Sequence, residues 1–244
     1  MPLNANRFPQ TRWSLVLNAA QKDEAVAQRA LGELCEMYWS PVYAYIRGRG
    51  WRIEEAEDLT QSFFGTFLAN QGIESADASQ GKLRSYLLGA VKRFLVNEVR
   101  RRTAQKRGGG KEVLSIDYVD AVRGEEKFVE MAVENETPEI LFERAWAQTL
   151  IDEVTRKLAE QYEERGKGGE FEALKPSLLL EKDAKSQREL GWEMGKSLAA
   201  VRVAIFRLRQ RFRELLEKEI AQTMEETGEI SAEVAWLMGV WKGP

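Results

Sequence analysis

The sequence predicts an all-α protein of two helical domains joined by an acidic linker. Three observations carry this. Apolar residues recur at helical spacing in nearly every segment. Alternating Val/Ile/Thr stretches of strand length are missing. The charge also changes sign after Gly108-Gly109-Gly110, from a basic cluster to an acidic run. A hydrophobic content of 43% against 31% charged is enough to build a core.

The first domain is placed at residues 11–108 and is expected to contain four helices. Thr11 to Ala20 forms a short one. Glu24 to Ile46 forms a longer one, which Pro41 should kink or interrupt. Gly48 and Gly50 mark a turn. Ile53 to Asn70 is the third helix and Lys82 to Arg102 the fourth. In the fourth, Leu83, Tyr86, Leu87, Ala90, Val91, Phe94 and Leu95 form one apolar face. Ser85, Gly89, Lys92, Arg93 and Arg100 project to the other side. Arg100, Arg101, Arg102, Lys106, Arg107 and Lys111 then follow with only Glu98 nearby to oppose them. The whole chain is negative, with 36 Lys and Arg against 39 Asp and Glu, a net charge of −3. Positive charge segregated against that average requires an anionic partner, and phosphate is the commonest one.

Residues 109–136 read as the linker, rich in Asp and Glu, with a short helix near Glu126 to Val133. The second domain spans 137–220. Its first helix opens at Thr137-Pro138-Glu139, a cap followed by proline in the first turn and an acid. Ile140, Ala147, Ile151, Val154 and Leu158 form its stripe, and Gly166, Gly168 and Gly169 end it. A helix-turn-helix begins at Ser186. Ser186 and Glu189 match a capping box. Gly191 sits where two crossing helices approach most closely, and Gly195 suits the left-handed end of the first helix. Ser197 caps the second helix, whose buried stripe is Val201, Ile205, Leu208, Phe212 and Leu215. Its other face presents Lys196, Ala199, Arg202, Val203, Phe206, Arg207 and Gln210. Lys196, Arg202, Arg207, Arg209, Arg211 and Arg213 read as six unopposed cations. This is the pattern of a DNA-recognition helix. Residues 221–244 form a tail with a short amphipathic helix, Ile230 to Trp241. A cap on the second domain is the favoured role for it, and control of access to DNA is the other.

The sequence contains no histidine, the commonest general base and metal ligand. With no Gly-rich phosphate loop and no G-x-S-x-G elbow either, neither an enzyme nor a cofactor or metal site is expected. Cys35, the single cysteine, lies in an apolar helical pattern and reads as a small buried hydrophobe. No apolar run approaches the roughly 20 residues needed to cross a bilayer, and no secretory signal is visible. A cytoplasmic protein with no membrane partner is expected.

Three stretches resemble the sigma-70 family of bacterial transcription initiation factors. The similarity is to the extracytoplasmic-function (ECF) subgroup, which keeps the second and fourth sigma domains. Tyr38 to Gly50 (YWSPVYAYIRGRG) looks like the first helix of sigma domain two. Ala56 to Phe64 (AEDLTQSFF) is similar to the family's Asp-Leu-x-Gln-x-x-Phe segment. Leu83 to Arg102 (LRSYLLGAVKRFLVNEVRRR) looks like the helix that reads and melts the minus-ten element. The helix-turn-helix falls where sigma domain four reads the minus-thirty-five element.

The resemblance implies core RNA polymerase as partner, through its beta-prime clamp helices and beta flap, together with promoter DNA and an anti-sigma factor. Asp58, Leu59, Gln61 and Phe64 become candidate polymerase contacts, although Leu59, Phe63 and Phe67 also fit a core stripe. Arg100, Arg101, Arg102, Lys106 and Arg107 would grip the duplex backbone. Lys92, Arg93 and Asn97 would capture extruded bases, while Tyr86 and Phe94 pack inward. Arg202, Val203, Phe206 and Arg207 would enter the major groove, with Lys196 and Ser197 on phosphate. The linker would lie in the polymerase cleft toward the RNA exit path. Two rival readings are a stand-alone dimeric helix-turn-helix regulator and a helical adaptor that binds only protein.

Overall fold

The computed structural model describes residues 24–69, 82–105, 125, 128, 136–179, 184–224 and 230–242. The expected helix at Thr11 to Ala20 and nearly all of the linker lie outside the described residues. All regular structure among the described residues is helical: α1 (Glu24–Gly48), α2 (Ile53–Ala69), α3 (Leu83–Gln105), α4 (Pro138–Glu163), α5 (Gly168–Leu179), α6 (Gln187–Glu193), α7 (Leu198–Ala221) and α8 (Ile230–Lys242). No helix among these residues is long and apolar enough to cross a membrane.

The chain divides into two compact units. One comprises Met1–Thr149 with Ala221–Pro244, the other Leu150–Ile220. The division falls inside α4, after its first half, whereas the sequence places it at Thr137.

The core of the first unit explains that division. Tyr38, Trp39, Val42, Tyr43 and Ile46 of α1 are buried with Leu59, Phe63 and Phe64 of α2 and Leu83, Leu87 and Val91 of α3. Leu141, Phe142, Ala145 and Trp146 of α4 join them. Trp146 stacks on Tyr38 with ring centroids 4.6 Å apart. These large apolar groups bind the first half of α4 to this unit. Ile140, expected in the buried stripe, is instead 41% exposed. Pro41 does not interrupt α1, which runs through it to Gly48. The buried side chains on both flanks of Pro41 hold the helix where one backbone hydrogen bond is missing. Gly48 permits a close approach: a Cβ there would sit 2.7 Å from Leu141 Cδ1 and 3.1 Å from Pro138 Cα. The α1 end then turns at Gly50, where φ is +88°.

Three residues of the linker region are described: Glu136 pairs with Arg144 of α4, and Glu125 and Phe128 pack on α1. Glu125 accepts hydrogen bonds from Arg47 Nε at 2.9 Å and Nη2 at 3.0 Å, and a short one from the Tyr43 hydroxyl. Phe128 lies edge-on to Tyr43 and beneath the Arg47 guanidinium. The tail helix α8 also belongs to this first unit. Val234 and Leu237 are its buried apolar residues, and Leu83 N donates to Thr223 O at 3.1 Å. The sequence favoured a cap on the second domain; α8 instead packs beside α3.

The second unit buries Val154, Leu158, Phe171, Leu174, Leu190, Val201, Ile205, Leu208, Phe212 and Leu216. Leu216 takes the inward position that the sequence assigns to Leu215, because a straight 3.6-residue period drifts from a fixed stripe. Gly166, at φ +66°, ends α4, whereas Gly168 and Gly169 open α5 rather than closing the preceding helix. Lys157 Nζ lies 2.6 Å from the buried Glu219 carboxylate, tying α4 to α7.

Candidate nucleic-acid interface

The inward face of α3 is Leu83, Leu87, Val91 and Leu95, with Glu98 continuing the same side. Its outward face carries Arg93, Asn97 and Arg100, all exposed. Val96 and Val99, 52% and 48% exposed, stand among them. Arg93, Val96, Asn97 and Arg100 follow an i, i+3, i+4, i+7 spacing and so share one side of the helix. The two valines were not singled out by the sequence reading; apolar side chains interrupting a basic face are the signal that exposes them.

The remaining basic residues of this helix are engaged within the protein. Arg101 donates to Glu98 through Nε and Nη2, both at 2.9 Å, and Arg102 Nε donates to it at 3.0 Å. Arg102 also reaches Glu55 at 3.3 Å and lies over the Trp51 ring. Burial pushes the Glu98 carboxyl up, but the hydrogen bonds and charges of Arg101 and Arg102 prevail and hold it below the usual range. Lys92 pairs with Glu139 at 2.8 Å, an interaction that raises the lysine and lowers the glutamate despite some desolvation. Glu98 is therefore a direct partner of two arginines that the sequence leaves almost unopposed. Lys106 and Arg107 lie outside the described residues. Phe94 packs edge-on against Phe63 at 5.7 Å and Tyr86 is half-buried, as their apolar spacing suggests.

On α2, Glu54, Asp58 and Gln61 lie at helical spacing on one side, with Asp58 exposed and Gln61 half-buried. Burial and the neighbouring Asp58 charge raise the Glu57 carboxyl. Leu59 and Phe64, each 1% exposed, point into the core. Phe64 stacks on Trp39 at 6.1 Å and meets Phe63 at 5.1 Å. The four candidate polymerase contacts thus separate into an outward polar pair and two internal supports.

The second unit builds the helix-turn-helix from local signals. Ser186 caps α6: its Oγ accepts from Glu189 N at 3.3 Å, and Ser186 N donates to the Glu189 carboxylate at 2.7 Å. Hydrogen bonding from the Ser186 hydroxyl and backbone N–H lowers the Glu189 carboxyl. Gly195 takes φ +60° in the turn. A Cβ on Gly191 would meet Lys196 O at 2.9 Å, which explains the small residue at the crossing. Ser197 Oγ then accepts from Ala200 N at 3.2 Å and caps α7.

The outward side of α7 is exposed and mixed. Phe206 is 68% and Val203 47% exposed, beside exposed Arg202, Arg207 and Arg209. Among the described residues, Arg202 donates to a neutral partner, Gln187 Oε1, at 3.1 Å, and Arg209 to the Ser177 carbonyl at 3.0 Å. Arg202, Arg207 and Arg209 form no ion pair among the described residues. The other three basic residues are opposed, contrary to the sequence reading. Lys196 pairs with Glu170 at 2.8 Å, Arg213 with Glu217 at 2.9 Å and Arg211 more loosely with Glu214 at 3.8 Å. A groove of about 730 Å³ runs along this side, lined by Arg165, Lys167, Lys196, Arg207 and Arg211 against Glu170 and Glu214, with Ala199 and Val203 at its apolar part. A convex helix with two apolar side chains among arginines, flanked by a basic groove, suits an edge-reading contact to a phosphate-lined duplex. Trp192 of α6 is 89% exposed.

The model of the family described as "ECF sigma factor" matches residues 53–167. Over this stretch the chain is similar to ECF sigma factors. The match takes in α2, α3 and α4, hence the candidate polymerase contacts and the basic helix of the first unit. ECF sigma factors act in transcription initiation with RNA polymerase on DNA. No curated protein and no solved structure matches the chain.

Proposed function

We propose that this chain is an ECF sigma factor that directs promoter-specific initiation by binding core polymerase, recognising promoter DNA at two elements and assisting strand opening. The observation that carries the reading is the outward side of α7, where Arg202, Val203, Phe206 and Arg207 stand exposed on a capped helix-turn-helix. Arginine forks match guanine edges, and Val203 or Phe206 fits a thymine methyl. Lys196 and Ser197 at the helix start hold phosphate. This part reads the minus-thirty-five element.

The first unit reads and opens the minus-ten element. Arg93 and Asn97 meet extruded bases, with Lys92 joining them after it leaves Glu139. Arg100 grips the backbone, joined by Arg101, Arg102, Lys106 and Arg107. Unstacking a base costs a few kcal/mol, and stacking plus cationic contacts return about 1–3 kcal/mol per base. Asp58 and Gln61 contact the clamp helices of the polymerase, and Leu59 and Phe64 hold α2 in the shape that presents them. The beta flap and an anti-sigma factor are further partners, and the protein works where the polymerase is, in the cytoplasm.

Transcription in vitro with purified core polymerase on genomic fragments tests this. Defined transcripts that need both proteins are expected. Tight duplex binding by the chain alone, with no effect on polymerase, would instead support a stand-alone dimeric regulator.

A further inference from the structure

Two basic side chains at the start of α3, Lys82 and Arg84, are absent from the grip described above. The tail helix takes both. Glu233, whose side chain is only 6% exposed, accepts from Arg84 Nε at 2.8 Å, Arg84 Nη2 at 3.3 Å and Lys82 Nζ at 2.7 Å. The Arg84 guanidinium carbon lies over the Trp236 ring, 3.5 Å from its centroid. Glu143 closes a third side at 3.2 Å. Arg84 is thus gripped along its edge by two carboxylate oxygens and covered on its face by an aromatic ring. A nucleotide satisfies a guanidinium in the same two ways, with phosphate oxygens on the edge and a base on the face.

Among the described residues, α8 has few other buried anchors. Its fully buried apolar side chains are Val234 and Leu237, while Trp236, Met238, Val240 and Trp241 remain half-exposed. Trp241 adds one hydrogen bond, Nε1 to Gln148 Oε1 at 2.8 Å. Much of the attachment therefore runs through groups that resemble a ligand.

We propose that Lys82 and Arg84 form a subsite for one nucleotide of single-stranded DNA, phosphate on the edge of Arg84 and base on its face, which α8 fills until DNA displaces it. The proposal rests on the melting role assigned to α3. The exchange is close to balanced, since one carboxylate and one ring leave as one phosphate and one base arrive. Because α8 is part of the same chain, its effective concentration is of millimolar order. A free single strand competes poorly against that, whereas a strand already held by Arg93, Asn97 and Arg100 competes well.

The test uses the full chain. Glu233→Gln with Trp236→Ala removes the mimic and leaves Val234 and Leu237 in place. Anisotropy of a fluorophore-labelled single-stranded oligodeoxynucleotide should show affinity rising about tenfold, with the salt dependence steeper by about one phosphate contact. Adding Arg84→Ala to this variant should cancel the gain. Unchanged affinity in a double variant that keeps the parent's helical signal and melting temperature overturns the proposal, as does a gain that survives Arg84→Ala. Where the double variant unfolds, Glu233→Gln alone decides: about a threefold gain supports the subsite and none removes it. Polymerase-dependent transcription by the unaltered chain, measured in parallel, reports on the sigma function separately. Its absence would sink that function while the binding comparison still settles the subsite.

Discussion

The helices α3 and α7 are both rich in arginine, yet most basic residues of α3 are held by carboxylates while Arg202, Arg207 and Arg209 on the outward side of α7 form no ion pair among the described residues. Along α3, Arg84, Lys92, Arg101 and Arg102 are each held by carboxylates of the same unit. Along α7, Arg202 and Arg209 meet neutral groups among the described residues, and Arg207 stands exposed beside a basic groove. Exposed ion pairs contribute little to stability, about 0–1 kcal/mol each. Their larger effect is on binding, because a phosphate must replace a partner already in place. On the proposed function, Arg202, Arg207 and Arg209 meet duplex without first leaving a carboxylate, whereas Lys92, Arg101 and Arg102 must exchange one for a phosphate.

The largest expected effect comes from breaking the ready half. Arg202→Glu with Arg207→Glu should lower affinity for minus-thirty-five duplex by at least about a hundredfold, since each arginine contact is worth about 1–3 kcal/mol. Gel-shift titration with the polymerase holoenzyme checks this, and full affinity would remove α7 from the reading. Next, Arg93→Glu with Arg100→Glu should cut open-complex formation by about ten- to a hundredfold while core binding survives. Permanganate footprinting reads the melted bases, and an unchanged footprint would move the melting surface elsewhere. A smaller change sharpens the contrast. Glu98→Gln frees Arg101 and Arg102, so non-specific DNA affinity should rise about two- to fivefold at low salt as melting temperature falls slightly. A drop in affinity would show that Glu98 orders those arginines for DNA rather than restraining them.

Acid gives the smallest and broadest effect. In the first unit, the carboxyls of Glu98, Glu125, Glu139 and Glu233 all lie below their ordinary range, because hydrogen bonds and charges from basic partners prevail over burial, which acts the other way on each. Depressed carboxyls contribute stability that is present above their unfolded pKa of about 4.3 and is lost as pH falls through the folded values. Glu143 works the other way, because burial raises it. Glu153 and Glu189 are the depressed carboxyls of the second unit. Near-ultraviolet circular dichroism below about pH 4.5 should report early loosening around Trp146 and Trp236, which belong to the first unit. Loss of signal that begins instead on the alkaline side would contradict these signs.

The helix-turn-helix was legible because its determinants are close in sequence. The Ser186–Glu189 box, the crossing at Gly191 and the turn at Gly195 each depend on neighbours a few residues away. The all-helical class was legible for the same reason. Other features depend on distant partners. Nothing near Arg84 announces Glu233, which lies 149 residues on. Nothing near Thr137 shows that Trp146 will stack on Tyr38, so the first half of α4 was assigned to the other domain. Periodicity marks the side of a helix that is buried but not what buries it. The segment from Ala56 to Phe64 shows this limit: its pattern resembles the family's polymerase-docking segment, while burial turns Leu59 and Phe64 inward and leaves Asp58 and Gln61 toward the surface.

Glu98 has a thermodynamic consequence beyond geometry. DNA normally rewards a basic protein by shedding condensed sodium ions into the bulk, and the slope of binding against salt counts the phosphates neutralised. Arg101 and Arg102 share one carboxylate that is covalently part of the chain, so the three groups carry a net charge of one and neutralise one phosphate rather than two, and fewer sodium ions leave the DNA. The measured slope should therefore fall short of the number of arginines on α3, and genomic DNA at large should hold this helix less firmly than its sequence suggests.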